Sequence, residues 1–219
     1  MSCTLAICTQ GWVACRFLFH PLRPLPSHPW SLPSSPQISN YPHFLNELTR
    51  ILRPGGVLIL IEFDLRPIAD GKFTSADAKS GIPGWCAVAE EVRHALSRRG
   101  VDTTVPERMG EIVHNLGWYD HVFQQHADIP VGFWPKGARI CFDLTFDFIL
   151  VLDPTLLTVG QLAWMESDLL ILAIRPLLLA SGLEEKEVKM LTEAAQRDLY
   201  YPLVHIESRL HVVHAVKSV

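Results

Sequence analysis

One stretch constrains this chain more than any other: FLNELTRILRPGGVLILIEFD, from Phe44 to Asp64. Phe44, Leu45, Leu48, Ile51 and Leu52 recur at helical spacing, so they are expected to form one inward face. The helix must end before Pro54, because a proline ring disfavours helical backbone at the residue ahead of it. Gly55-Gly56 then supplies backbone free enough for a sharp reversal. Residues 57–63 follow as a continuous apolar run of strand length, the pattern of a strand buried on both faces in a parallel sheet. Helix, Pro-Gly-Gly turn and buried strand in that order predict an α/β fold.

The rest of the chain fits the same class. A polar loop over 64–84 leads to a helix over 85–99, with Val88, Val92 and Leu96 on one face and Gly100 as its stop. Pro106 opens a shorter helix with Met109, Ile112, Val113 and Leu116 inward, ending at Gly117. Residues 119–130 read as a strand. A long helix is expected over 159–181 and another over 184–199, where Glu184-Glu185 gives the acidic first turn that suits a helix N-terminus. An alternating strand over 205–216 follows, with Ile206, Leu210, Val212 and His214 marking its positions.

Composition narrows the function classes. With 48% apolar side chains among 219 residues there is material for a core, which excludes wholesale disorder. Nineteen basic against 23 acidic residues give a net charge of −4, the wrong balance for a chain that chiefly binds nucleic acid. No apolar run reaches the roughly 18 residues of a membrane-spanning helix, so no membrane association is expected. The five cysteines, Cys3, Cys8, Cys15, Cys86 and Cys141, form no C-x-x-C pair and read as reduced thiols of an intracellular protein. The expected compartment is the cytoplasm, with the nucleus open. The apolar start of the sequence has no basic n-region and no small-x-small cleavage site, which argues against a secretory signal.

Seven of the 16 prolines fall between Pro21 and Pro42. That density excludes helix interiors and central strands, since each proline fixes φ and removes a donor. Residues 1–37 are therefore expected to be an irregular, proline-rich segment apart from 38–219. Within the latter, residues 138–157 (ARICFDLTFDFILVLDPTLL) are Phe-rich and read as an extra strand or an insertion. For these residues and for 1–37, translated non-coding sequence is a further reading.

The Phe44–Asp64 stretch resembles the helix, turn and fifth strand of class I S-adenosylmethionine-dependent methyltransferases, with Glu47, Arg50, Leu52, Pro54, Gly55 and Gly56 matching the family's l-x-E-x-x-R-v-L-k-P-G-G form. IPVGFWPKG resembles the segment after the sixth strand in relatives typical of fungal secondary metabolism. SGLEEKEVKMLTEAAQRDL resembles their late helix, and HVVHAVK their terminal strand. The resemblance implies a partial Rossmann-like methyltransferase fold made of strands 5, 6 and 7 with flanking helices. It also implies S-adenosylmethionine as cofactor and methyl transfer to a small-molecule acceptor.

The same resemblance shows what is lacking. In the family a glycine-rich turn after the first strand lets backbone approach the cofactor, and an acidic residue ending the second strand takes the ribose hydroxyls, for the reasons that hold in dinucleotide folds. This sequence has no G-x-G-x-G. Residues 13–20 (VACRFLFH) weakly resemble the end of a fourth strand, and nothing supplies the first three. The N-terminal half of the sheet is expected to be missing and the chain to be truncated and poor at binding cofactor. The fifth strand would be left with an open edge that invites self-association. The competing class is a non-catalytic interaction module derived from a methyltransferase.

Among single residues, Glu62 and Asp64 sit at the carboxyl end of the expected strand, where sites occur in open α/β sheets. They read as substrate-orienting or proton-accepting carboxylates, or more plainly as a solvated strand end. Trp85 and Trp134 read as walls of an acceptor pocket or, more plainly, as core and rim packing. Pro54, Gly55 and Gly56 are structural. His211 and His214 lie three apart, so a regular strand puts them on opposite faces and no metal site is expected there. Cys86 and Cys141 have no base argued beside them and read as inert thiols.

Overall fold

The computed structural model describes residues 4–8, 40–134 and 154–219. The expected α/β class holds. In chain order the elements are β1 (Thr4–Cys8), α1 (Tyr41–Ile51), β2 (Val57–Phe63), β3 (Ile68–Ala69), β4 (Lys72–Phe73), α2 (Pro83–Arg98), α3 (Val105–Asn115), β5 (Tyr119–Val131), α4 (Pro154–Ala173), α5 (Arg175–Ala180), α6 (Glu185–Tyr200) and β6 (Ile206–Lys217). Neighbouring strands follow the order β1-β2-β6-β3-β4, with β5 also pairing β6. The chain divides into two compact units, Met1–Glu62 with Arg108–Gln124 and Val212–Val219, and Phe63–Glu107 with Gln125–His211. Among the described residues no helix is long and apolar enough to cross a membrane.

The first unit is built on the Pro-Gly-Gly turn. Asn40 caps α1 by accepting from the His43 N–H at 3.0 Å, and Leu45 and Leu48 are buried as the spacing requires. Ile51 departs from that face and is 61% exposed, because the buried end of the helix face is completed by Leu52 instead. Gly55 takes φ +71°, a conformation costly for any residue with a Cβ. At Gly56 a Cβ would stand 2.8 Å from the Arg53 carbonyl oxygen. The turn is tied to β6, since the Gly55 N–H donates to Lys217 O and the Lys217 N–H to Gly56 O, each at 2.9 Å.

β2 is not buried equally on both faces. Leu58, Leu60 and Glu62 are buried while their alternates are only half-buried. Nor is its edge open. Thr4–Cys8 pairs with it in parallel, Thr4 opposite Val57 and Cys8 opposite Ile61. A strand thus stands inside the stretch expected to be irregular. TLAIC precedes the first of the clustered prolines, so none of its ladder donors is lost. Residues 13–20 lie outside the described residues.

The second unit packs α2 on α6, with α4 and α5 alongside, around Ile82, Cys86, Ile171, Leu178, Val188 and Leu199. Gly84 makes the α2–α6 approach close, because a Cβ there would fall 2.5 Å from the Ala194 carbonyl carbon. Asp198 accepts from the Trp85 N–H at 3.0 Å, so α6 caps the start of α2. Glu184 and Glu187 form a reciprocal capping box at the start of α6.

Three other expectations are corrected here. The supposed loop over 64–84 contains a hairpin, Ile68 opposite Phe73 and Ala69 opposite Lys72, turned by Asp70 (φ +49°) and Gly71 (φ +76°). Asp-Gly is a preferred pair for such a turn, but two-residue strands carry no readable alternation. The long helix begins at Pro154 rather than near 159, and it breaks before Arg175-Pro176. Pro176 cannot donate to the carbonyl four residues earlier, and its ring crowds that carbonyl. Residues 138–153, with Cys141, lie outside the described residues. In β6 the buried positions are Ile206 and then His211, Val213 and Ala215, so the strand changes phase midway and Leu210, Val212 and His214 are only half-buried. β5 is mostly exposed along its length; among the described residues it pairs only with β6, and such an edge position tolerates Pro130.

Candidate functional site

The carboxyl end of β2 is not a solvated strand end. Glu62 is 1% exposed and Asp64 is 7% exposed. The Asp64 N–H donates to Arg209 O at 2.8 Å, which keeps the strand paired one residue past its assigned end. The Asp64 carboxylate folds back on its own chain. Oδ1 accepts from the Arg66 backbone N–H at 2.8 Å and from Arg66 Nε at 3.0 Å, while Oδ2 accepts from Nη2 at 2.6 Å. Arg66 also pairs with Glu107. His211 Nε2 stands 3.6 Å from Asp64 Oδ2.

Around this pair lies a second one. Arg209 forks onto Asp128, Nε to Oδ1 at 2.7 Å and Nη2 to Oδ2 at 2.8 Å. The Phe73 ring bridges the two guanidiniums, with Arg66 4.0 Å and Arg209 4.7 Å from its centroid.

The electrostatics follow from this geometry. Burial alone would raise the Asp64 pKa, but His211 and the Arg66 fork overcome it and hold the carboxyl well below the usual range. Of these, Arg66 is the stronger hold, since its contacts fall within hydrogen-bonding distance and His211 lies beyond it. Arg66 is raised above its ordinary value, chiefly by Asp64. A carboxylate held this low is a weak proton acceptor at neutral pH. What the cluster does well is fix the β2 end, the hairpin and β6 within the second unit by matched charges, of which Asp64 is buried and the rest partly exposed.

Trp134 belongs to a different place. Its Nε1 lies 3.2 Å from both Val131 O and Ile206 O, and its ring stacks on His205 with centroids 4.3 Å apart. With Asp70, Pro202, Leu203, Val204 and His205 it lines an open depression of about 380 Å³. His205 Nδ1 and Asp70 Oδ1 are 3.2 Å apart there, both more than half exposed. Trp85, Glu62 and Asp64 do not line it. Trp85 packs half-buried against the α2–α6 core. Pro54, Gly55 and Gly56 shape the turn to β6 described above.

Sequence reasoning did not find Arg66, Glu107, Arg209, Asp128 or Phe73. Only Arg66 leaves a local trace, because an Asp two residues ahead of it is placed to accept its N–H. Among the described residues no three His, Cys, Asp or Glu side chains converge on one point that would hold a metal. Cys86 is buried, and burial pushes its thiol above the ordinary value. The described residues supply neither of the two features by which the family is expected to hold S-adenosylmethionine, a glycine-rich turn and an acid ending the family's second strand. No G-x-G-x-G turn occurs in the sequence, and the Asp64 carboxylate is committed to Arg66.

No protein-family model and no curated protein matches the sequence. Among solved structures, a match is phosphoethanolamine N-methyltransferase 2 of Haemonchus contortus, in complex with phosphomonomethylethanolamine and S-adenosylhomocysteine. The identity is 14% and the TM-score 0.35, over 84% of this chain and 31% of that one. The chain therefore spans less than a third of that structure's length.

Proposed function

We propose that these residues correspond to the C-terminal part of a class I S-adenosylmethionine-dependent methyltransferase whose acceptor is a small molecule. The observation that carries this reading is the ordered set of α1, the Pro-Gly-Gly turn and β2, with the terminal strand β6 hydrogen-bonded to that same turn. Two further features support it. The late helix and the terminal strand quoted for the resemblance fold as α6 and β6, and β2 has a parallel neighbour in β1. The fungal secondary-metabolism subgroup and a cytoplasmic setting belong to the same proposal and rest on the sequence alone.

The second reading is a non-catalytic interaction module. It is favoured by the lack, among the described residues, of both features expected to hold the cofactor. No step of methyl transfer is assigned to any side chain here, and the Asp64 cluster is read as architecture.

Calorimetry separates these readings. S-adenosylmethionine is titrated into this chain, and into the same chain extended by whatever in-frame coding sequence the full-length transcript carries upstream. Micromolar binding by the extended protein alone is the expected result. Binding by neither leaves the interaction module, and micromolar binding by this chain alone overturns the assignment of the cofactor to segments outside it.

A further inference from the structure

α4 and α5 are apolar on two faces. Ile171, Ile174 and Leu178 face the core of the second unit, whereas Leu162, Met165, Leu169, Leu172, Pro176 and Leu179 are all exposed. At the centre of the stripe Met165 is 54% and Leu169 65% exposed. A helix apolar all round belongs between two packing layers, and the described residues supply one of them. The exposed positions alternate steps of three and four residues, which is the seam of a two-helix coiled coil. Ile174 N–H to Leu170 O at 2.9 Å and Leu178 N–H to Ile174 O at 3.1 Å hold α4 and α5 to Ile174 from either side of the break.

We propose that this stripe is a dimerisation surface and that its occupant is the same stripe of a second copy, running antiparallel. The flanking charges select that partner and its register. Gln161, Asp168 and Arg175 flank the seam on one side, and Glu166, Ala173 and Ala180 on the other. Antiparallel, with Leu169 opposite Leu172 of the second copy, Asp168 comes beside Arg175 of the second copy, twice by the two-fold symmetry. Glu166 then faces Ala173. Sliding by one heptad sets Asp168 against Asp168 and Glu166 against Glu166, which repels. A parallel pairing matches Asp168 and Arg175 only with alanines. Gln196 and Tyr200 donate to Asp168 at 3.1 and 3.3 Å, which holds its carboxylate at the seam's edge. The inference does not depend on the methyltransferase reading.

Sedimentation equilibrium on the full 219-residue chain, from low to high micromolar, tests it. The expected result is a monomer–dimer equilibrium that Leu169→Glu moves to monomer, raising the dissociation constant by about tenfold or more. Leu169 is exposed in the monomer, so the variant's thermal unfolding followed by circular dichroism in dilute solution should match the parent's. Asp168→Arg and Arg175→Asp should each weaken the dimer, and together restore it. A monomer throughout, a polydisperse aggregate, a dimer indifferent to Leu169→Glu, or a double variant that stays weak would each overturn the proposal.

Discussion

The Lys217 ammonium lies 2.7 Å from the carbonyl oxygen of Leu52, 165 positions earlier in the chain. It donates equally closely to Thr49 O, so the last residue of β6 caps the open end of α1. The last carbonyls of a helix have no partners of their own, and a cation there also meets the negative end of the helix dipole.

Replacing that cation should therefore loosen the first unit. Lys217→Met is expected to cost about 1–2 kcal/mol, the range for charge-assisted hydrogen bonds at a partly exposed site. Lys217→Arg should recover part of it. Urea unfolding monitored by circular dichroism reads the difference, and an unchanged midpoint for Lys217→Met would show that water caps the helix equally well.

Asp64 should govern the acid limb of stability. Its carboxyl is held well below its ordinary value of 3.8 in the folded chain. The ionised form is thus favoured by folding, and its contribution is present above about pH 4 and fades as the pH falls further. Asp64→Asn should remove that part of the acid sensitivity. It should also destabilise the protein at neutral pH by about 1–2 kcal/mol, because the half-buried Arg66 loses its fork onto Asp64 and keeps only Glu107. Unfolding midpoints at pH 7, 4 and 3 check both effects; parallel curves for parent and variant would contradict the assignment.

Gly84 should tolerate no side chain. The added Cβ of Gly84→Ala would meet the Ala194 backbone, carbonyl carbon at 2.5 Å and oxygen at 2.7 Å, so α2 and α6 must part. The expected loss is about 1–3 kcal/mol, as for other forced overpacking. Because the obstruction is backbone, Ala194→Gly should not rescue it. Rescue would mean that the Ala194 methyl group, not the helix backbone, sets the distance.

Much of the fold was legible because it is local. Periodicity marks α1, α2, α3 and α6 within a residue or two, and Pro54-Gly55-Gly56 announces the reversal into β2. Ile51 misleads, since helical spacing alone admits it to the same face as Leu48 and Leu52. β6 misleads at Leu210 and Val212, because a phase change inside a strand leaves its apolar residues on both sides. Pro176 lay in plain view inside a helical pattern, and the break there follows from its missing N–H.

The candidate site was legible only as a location. Glu62 and Asp64 end an apolar strand, and that much is in the sequence. Whether such carboxylates are solvated, catalytic or buried depends on which cations reach them. Arg66 reaches Asp64 through a local turn, but Glu107 and His211 come from distant elements, and no spacing rule links them.

By itself, then, the sequence determined the class of the fold, the helix–turn–strand unit and the absence of a glycine-rich cofactor turn, since these rest on short-range pattern and residue type. The tertiary structure alone decided that Thr4–Cys8 pairs with the edge of β2, that Lys217 caps α1, that Asp64 is neutralised rather than poised, and that Leu162, Met165 and Leu169 of α4 are exposed. Each of these is a pairing between residues far apart in the chain, and such pairings are fixed only when the packed elements bring hydrogen-bonding groups, charges and apolar surfaces within reach of one another.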